Sequence, residues 1–146
     1  MKCRELQIGD WITDNNGFQL QITVVGDDYA YATFEGLEGD PWEFDDKDDQ
    51  PQPIEITDDI MRKNNWKECD YPLPLPHNLQ EYYYVKDEGR NHLVWNSEVL
   101  SIWLDWEEGK DDGAYANIAI PVKYVHQLQG ALRLAGMTDM ANNFKV

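Results

Sequence analysis

Cysteine, basic residues and long apolar runs are all scarce in this sequence. Cysteine occurs only at Cys3 and Cys69, and no CxxC pair is present. Two cysteines are too few for a disulfide framework, so we expect free thiols in a reducing compartment. No stretch approaches the roughly 18 apolar residues of a membrane span, and no apolar run follows the N-terminal charges. We therefore predict a cytoplasmic protein without a signal peptide or membrane contact.

The shortage of basic residues sets the charge of the chain. Twelve Lys and Arg residues stand against 28 Asp and Glu, which gives a formal net charge of −16. Such a chain is repelled by nucleic-acid phosphates and anionic lipids, and its basic residues form no cluster. We expect no direct nucleic-acid binding and favour a basic protein as the partner. The simpler interpretation, that the charge only provides solubility, stays open.

Catalytic and metal-binding motifs are missing as well. The sequence has no GxSxG, HExxH, GxxxxGK or GxGxxG pattern, and its histidines, His77, His92 and His126, are far apart. These motifs carry nucleophilic, zinc and phosphate chemistry, so we predict no catalytic residues, no metal site, no cofactor and no enzymatic activity. Two alternatives stay open, because 28 carboxylates always offer chance pairs for acid–base chemistry or weak cation binding.

Aromatic residues are abundant. Six Trp, eight Tyr and four Phe accompany a hydrophobic fraction of 42%, which is too much for a disordered chain. A chain of 146 residues buries roughly 70% of its unfolded surface and commonly forms one domain. We predict a single α+β domain over residues 1–146.

The N-terminal third predicts an antiparallel meander. Strands are expected over residues 8–12, 18–24 and 29–34, and Asn16-Gly17 predicts a tight hairpin. In the second strand the alternation predicts one buried face, made of Phe18, Leu20, Ile22 and Val24. Three twisted strands of this kind often begin a small SH3-like barrel.

Residues 35–53 are predicted to form an acidic loop, because glycine and proline punctuate them and carboxylates dominate them. Carboxylates interleaved with aromatic rings suit a basic, arginine-rich partner. The candidate binding residues are Glu38, Asp40, Trp42, Glu43, Phe44, Asp45, Asp46, Asp48 and Asp49.

The remainder predicts a short helix, a second meander and a closing helix. Thr57 is a suitable N-cap for the short helix, and residues 70–79 form a proline-rich connector. Strands are expected over residues 82–85, 92–95, 99–106 and 114–120. The closing amphipathic helix should begin at Pro121, end before Gly136 and pack on the sheet. Its polar side carries a candidate anion-binding or partner-binding corner, formed by His126, Gln129 and Arg133.

Three segments resemble a known family. Residues 5–12, 53–66 and 122–136 are similar to the patterns "ELxIGDWV", "PIPLTxEILxKNGF" and "KYVHxLQxxLxLxG". These patterns occur in that order in a family of small phage, prophage and mobile-element proteins from Bacteroides-type gut bacteria. The segments cover about a quarter of the chain, and Asn65 stands where the family usually has Gly. The resemblance implies a viral or mobile-element context and no mechanism.

Two functional hypotheses of different classes follow. In the first, the protein is a non-enzymatic binding protein that inhibits a basic or nucleic-acid-binding host protein through its acidic and aromatic surface. Mimicry of nucleic acid is a sharper form of this hypothesis. In the second, it sequesters a nucleotide-type small molecule, which would need Arg or Lys beside aromatic rings. An enzyme ranks third.

Overall fold

The fold is of the α+β class, as predicted, and the described residues form two five-stranded antiparallel sheets and three α-helices. The computed structural model describes residues 1–34, 40–70, 82–104 and 116–146. Backbone contacts divide the chain into two compact units. The first unit holds residues 1–55, 124–144 and 146, and the second holds residues 56–123 and 145. The single domain inferred from the sequence stays a prediction.

The first unit is built on a sheet with the strand order β4-β3-β2-β1-β5. A short 3₁₀ turn, Cys3–Glu5, precedes it. The strands are β1 (Trp11–Thr13), β2 (Gln19–Val25), β3 (Tyr29–Thr33), β4 (Trp42–Asp45) and β5 (Gln52–Pro53). Strands β1, β2 and β3 pair in sequence, which confirms the predicted meander. Strand β5 pairs with β1 on the side away from β2. An SH3-like closure stays a prediction.

The inner face of this sheet forms the apolar core of the first unit. Its fully buried side chains are Cys3, Ile12, Leu20, Ile22, Ala30, Ala32 and Phe44. The predicted alternation of β2 is correct for Leu20 and Ile22 but wrong for Phe18 and Val24, which are 53% and 42% exposed. A β-bulge between Ile22 and Val24 shifts the register, so that Val25 faces inward in place of Val24.

The predicted loop over residues 35–53 is wrong for two segments, because β4 and β5 lie within it. Ala30 pairs with Phe44 across β3 and β4, so the burial of one aromatic ring holds this acidic stretch in the sheet. The strand propensities of its residues did not predict β4, because Asp and Glu are rare in strands.

The second unit is a sequential meander with the order β10-β9-β8-β7-β6. Its strands are β6 (Lys67–Asp70), β7 (Tyr82–Glu88), β8 (Asn91–Trp95), β9 (Val99–Leu104) and β10 (Ala116–Pro121). The second meander is therefore confirmed, and β6 was not predicted. Its inner face buries Tyr84, Leu93, Trp95, Leu100 and Ile102, and the Trp95 indole donates to the carbonyl of Val122 over 3.0 Å. Of the connector predicted over residues 70–79, Asp70 ends β6 and the other residues lie outside the described part of the chain.

The short helix α1 (Asp58–Lys63) begins as predicted, since the Thr57 hydroxyl accepts from the amide of Ile60 over 3.3 Å. The helix ends at a residue with an uncommon backbone conformation. Asn65 has φ 61°, the left-handed conformation that Gly adopts most readily, and Trp66 bonds back to the carbonyl of Met61. Asn is the best-tolerated substitute for Gly there.

The closing helix α2 (Val125–Leu134) begins later than predicted. Pro121 ends β10 instead of starting the helix, which is where a strand tolerates a residue without an amide proton. The predicted apolar side is confirmed, because Val125, Leu128, Ala131 and Leu132 are buried, and α2 packs on β1. Gly136, at φ 82°, ends α2 as predicted, and a further short helix, α3 (Thr138–Asn142), was not predicted.

Candidate functional site

The acidic stretch is a tight turn whose carboxylates support their own backbone. One oxygen of Asp45 accepts from the amides of Lys47 and Asp48, over 2.6 and 2.7 Å. The Asp45 amide in turn donates to the carbonyl of Asp49 over 3.0 Å. The bonds from Asp48 and Lys47 lower the pKa of Asp45. Part of the acidity predicted to serve a partner therefore shapes the turn.

Asp46 anchors the N-terminus. Its carboxylate accepts from the amide of Cys3 over 2.7 Å, and Lys2 lies 3.8 Å from its other oxygen. The bond from Cys3 lowers the pKa of Asp46. Burial and the hydrogen bond with Asp46 raise the pKa of the Cys3 thiol to about 11. Cys3 is a free, buried thiol held in its protonated form.

The predicted acidic and aromatic residues do not share one face. Side chains alternate along β4, so Trp42 and Phe44 belong to the inner face and Glu43 and Asp45 to the outer face. Phe44 is fully buried, so its prediction as an exposed contact residue is wrong. Trp42 is 38% exposed at the end of the strand. Asp40 and Asp48 are exposed, Asp49 accepts from Asn15 over 3.1 Å, and Glu38 lies outside the described residues.

The outer face of the first sheet carries aromatic residues that the sequence analysis did not select. Tyr29 and Tyr31 lie on β3 with ring centroids 5.7 Å apart, in an edge contact. Tyr31 stands between Val24 on one neighbouring strand and Glu43 on the other. Tyr29 is 42% exposed. Sequence analysis could have found the pair, because Tyr and Ala alternate along β3. The small Ala side chains fit the crowded inner face, which leaves both Tyr rings on the outer face.

The ring of Tyr29 is held in place by the turn before it. A Cβ atom at Gly26 would approach the Tyr29 ring to 2.2 Å, and the Gly26 amide donates to the Tyr29 carbonyl over 2.8 Å. Only glycine leaves room for the ring over this turn. Asp27 and Asp28 occupy the turn and are exposed. We call Val24, Asp27, Asp28, Tyr29, Tyr31 and Glu43 the tyrosine face.

Two residues of the predicted polar corner on α2 are engaged in contacts within the first unit. Gln129 is fully buried, so its predicted place on the solvent side is wrong. Its oxygen accepts from the amide of Trp11, and its nitrogen donates to the carbonyls of Gly9 and Ala141, each over 2.9 Å. This one side chain therefore ties β1, α2 and α3 together. A helical wheel could not detect this role, because it shows polarity and not the partners that a buried amide finds.

Arg133 is also engaged in the first unit. Its guanidinium lies 2.5 Å from the carboxylate of Asp10, and the two side chains are 12% and 2% exposed. Burial raises the pKa of Asp10, while Arg133 and the amide of Gln7 partly offset that effect. With its charge compensated by Asp10, Arg133 does not form the anion-binding corner that the sequence suggested.

His126 has a different environment. Its ring stacks on Tyr124 with centroids 5.9 Å apart, and its buried Nδ1 has no hydrogen-bond partner among the described residues. Burial lowers the pKa of His126 to about 4, partly opposed by the negative charge of Glu5. The imidazole is therefore neutral at pH 7 and serves packing in this structure.

A histidine–carboxylate pair stands on the second sheet. His92 on β8 lies 2.6 Å from Asp87 on β7, through its Nδ1. Such a pair can orient an imidazole for proton transfer, but catalysis also needs a reacting group beside Nε2. Within the described ranges, no group of three or more His, Cys, Asp or Glu side chains is arranged to hold a metal ion.

Comparisons with protein-family models, with curated proteins and with solved structures give no match for this chain. The family resemblance therefore stays a prediction. None of the described helices has both the length and the apolar character needed to cross a bilayer.

Proposed function

We propose that this chain is a non-enzymatic binding protein whose tyrosine face and neighbouring acidic turn contact a basic, arginine-bearing segment of another protein. The observation that carries the proposal is the edge contact between the exposed Tyr29 and the half-buried Tyr31, which are fixed on a sheet and bordered by carboxylates. Tyrosine supplies a large contact area at low entropic cost and is enriched where proteins bind one another.

The border of this face is acidic on two sides. Asp27 and Asp28 lie in the turn before β3, and Glu43 lies on the strand beside Tyr31. The amide of Asp46 donates to the carbonyl of Asp28 over 3.1 Å, which joins that turn to the acidic turn of residues 45–49. Within a chain of net charge −16, these carboxylates favour encounter with a basic surface.

The chemistry favours arginine over lysine. A guanidinium can stack on an aromatic face and also form two hydrogen bonds with a carboxylate, whereas an ammonium cannot do both. Tyr31 pairs with Glu43 across β3 and β4, so one arginine side chain can meet a ring and a carboxylate together. Many nucleic-acid-binding proteins are arginine-rich, so the partner we propose is such a host protein, inhibited in the cytoplasm. The family resemblance supports only the phage or mobile-element context of this proposal.

The nucleotide hypothesis is less favoured by the geometry. A nucleotide phosphate needs uncommitted arginine or lysine near aromatic rings. Arg133 is compensated by Asp10, and Arg62 lies 2.8 Å from Glu68 and 3.6 Å from Asp59. The tyrosine face itself contains no basic residue.

A synthetic arginine-rich peptide of nine residues tests the proposal, with the same peptide carrying lysine as its control. We expect the arginine peptide to bind several-fold more tightly, and both to weaken as NaCl rises from 0.05 to 0.5 M. Isothermal titration calorimetry measures both effects. Equal affinity for the two peptides would remove the tyrosine rings from the interaction.

Matched variants locate the site on the surface. Changing Tyr29 and Tyr31 together to Leu should weaken binding of the arginine peptide about tenfold, because two cation–π contacts are lost. Phe18→Leu is the control, since Phe18 is another exposed aromatic residue of the first unit, packed edge-on against Phe34. If the double variant and Phe18→Leu bind alike, the tyrosine face is not the site.

Two further variants separate ring position from charge. Gly26→Ala keeps both tyrosines but displaces the Tyr29 ring, so we expect a loss of about threefold. Glu43→Gln should weaken binding about threefold at low salt, and the exposed Glu98→Gln, with the same change of charge on the other unit, should have a smaller effect. Equal effects of the two Gln variants would point to general charge attraction alone.

A further inference from the structure

The four sheet edges of the described structure differ in how well they are protected against pairing with another strand. Natural sheets block exposed edges with charged residues, proline or short strands. Strand β4 carries Glu43 and Asp45, and the Asp45 amide is already occupied by Asp49. Strand β5 has two residues, one of which is Pro53. Strand β6 is charged at three of its four positions.

Strand β10 lacks these protections over most of its length. It runs from Ala116 to Pro121 with the sequence ANIAIP, six residues without a charge in a chain that is 27% charged. It pairs with β9 on one side, and on its other side no strand of the described chain adjoins it. Its only protective residue is the terminal Pro121.

The ladder with β9 shows which backbone groups face away. The amide of Val122 donates to the carbonyl of Glu98 over 2.9 Å, across the end of the same pair of strands. Alternation along an antiparallel pair then directs residues 116, 118 and 120 toward β9, and Asn117, Ala119 and Pro121 away from it. Pro121, which has no amide proton, falls on the outward side, and Asn117 and Ala119 each present an N–H and a C=O.

We propose that β10 pairs with β10 of a second copy of this chain, antiparallel and centred on Ile118, to join two five-stranded sheets into one of ten strands. In that register Asn117 of one copy faces Ala119 of the other, so the outward groups form four backbone hydrogen bonds around a two-fold axis. The uncharged strand brings no like charges into direct opposition. Pro121 lies beyond the paired residues.

The two copies repel each other through their net charge of −16 each. Salt screens this repulsion, so the dimer should strengthen as NaCl rises. Binding of a basic segment to the tyrosine face has the opposite dependence on salt. The dimer involves no residue of that face, so either proposal can fail without the other.

Sedimentation equilibrium from 5 to 500 µM protein, in 0.05 and 0.5 M NaCl, tests the proposal. We expect a monomer–dimer equilibrium that is tighter at high salt. Ala119→Pro should raise the dissociation constant tenfold or more, because each copy loses its outward N–H, whereas the bonds to β9 do not use that group. The exposed Ala119→Val is the matched control and should dimerise like the original chain.

A second variant guards against misfolding of the proline variant. Ala119→Glu places like charges at the interface and should also weaken the dimer, with an unchanged far-ultraviolet spectrum. Hydrogen exchange adds an independent measurement, since the amides of Asn117 and Ala119 should gain protection as protein concentration rises. A chain that stays monomeric at 500 µM in both salts overturns the proposal. So does a dimer that Ala119→Pro and Ala119→Glu leave intact, or protection of these amides that does not change with concentration.

Discussion

The two sheets have the same number of strands, but the contacts that hold each unit together differ in kind. The buried polar residues of the described chain, Asp10, Asp14 and Gln129, all lie in the first unit. There, Gln129 bonds to the amide of Trp11, 118 positions earlier in the chain. In the second sheet, every pair of neighbouring strands consists of strands that follow one another in sequence. The first unit is therefore specified by a few distant polar contacts, and the second by successive local pairings and apolar packing.

The largest expected effect comes from removing the amide of Gln129. In Gln129→Leu the amide of Trp11 and the carbonyls of Gly9 and Ala141 lose their partners, which should cost about 4 kcal/mol of unfolding free energy. Hydrogen exchange with mass spectrometry should show peptides of residues 1–55 losing protection while peptides of residues 82–104 keep it. Gln19→Leu, at an exposed position of β2, is the control. Equal loss in both units would contradict the comparison.

The ion pair between Arg133 and Asp10 should give the next effect. Arg133→Met leaves a buried carboxylate without its cation, which should cost about 3 kcal/mol. Adding Asp10→Asn removes that charge and should restore part of the loss. Urea denaturation of the single and double variants measures this, and a double variant less stable than Arg133→Met would show that Asp10 matters for reasons other than its charge.

The pH dependence of the unfolding free energy should report on His126, which lies in the first unit. The folded pKa of His126, about 4, lies below its ordinary value of 6.5, so the unfolded chain binds more protons between those values. Stability is therefore complete above pH 6.5 and falls by about 3 kcal/mol as pH drops toward 4. His126→Leu should flatten the curve between pH 7 and 5. A curve of unchanged slope in that variant would assign the effect to another group.

The smallest effect concerns the end of α1 in the second unit. Asn65 holds a left-handed conformation that glycine adopts without strain, so Asn65→Gly should stabilise the chain by about 0.5 kcal/mol, net of the entropy that glycine loses. Thermal unfolding measures the shift. Asn65→Ala should destabilise it, because alanine adopts this conformation at greater cost. A destabilising glycine would mean that the Asn65 side chain contributes more than its backbone conformation.

Local rules predicted much of the fold. The Asn-Gly hairpin, the Thr57 cap, the four later strands and the apolar side of α2 follow from periodicity and turn chemistry within a few residues. Strand β4 was missed because the burial of Phe44 depends on Ala30 of another strand. Val24 was misplaced because a bulge between two strands does not alter the residue pattern of either.

The candidate site was predicted less well than the fold. Composition correctly placed carboxylates on the surface, but Asp45 and Asp46 also bond to the backbone of their own unit. Gln129 and Arg133 are polar residues of a helix. Their buried partners lie at or just before β1 and in α3, and the spacing of residues in the sequence does not show that these segments come together. The tyrosine face became visible only when the register placed Tyr31 beside Glu43.

The bond from Gln129 to Trp11 has a consequence for the order in which the chain is made. Residues 56–123 form an uninterrupted stretch and can assemble their meander once they leave the ribosome. The strands of residues 11–53 are synthesised before that stretch, yet the Gln129 amide that bonds to Trp11 and Gly9 is synthesised after it. The strands of the first unit must therefore wait for Gln129, and a ribosome that stops before that residue leaves the second unit fully synthesised while the Trp11 amide of the first still lacks its partner.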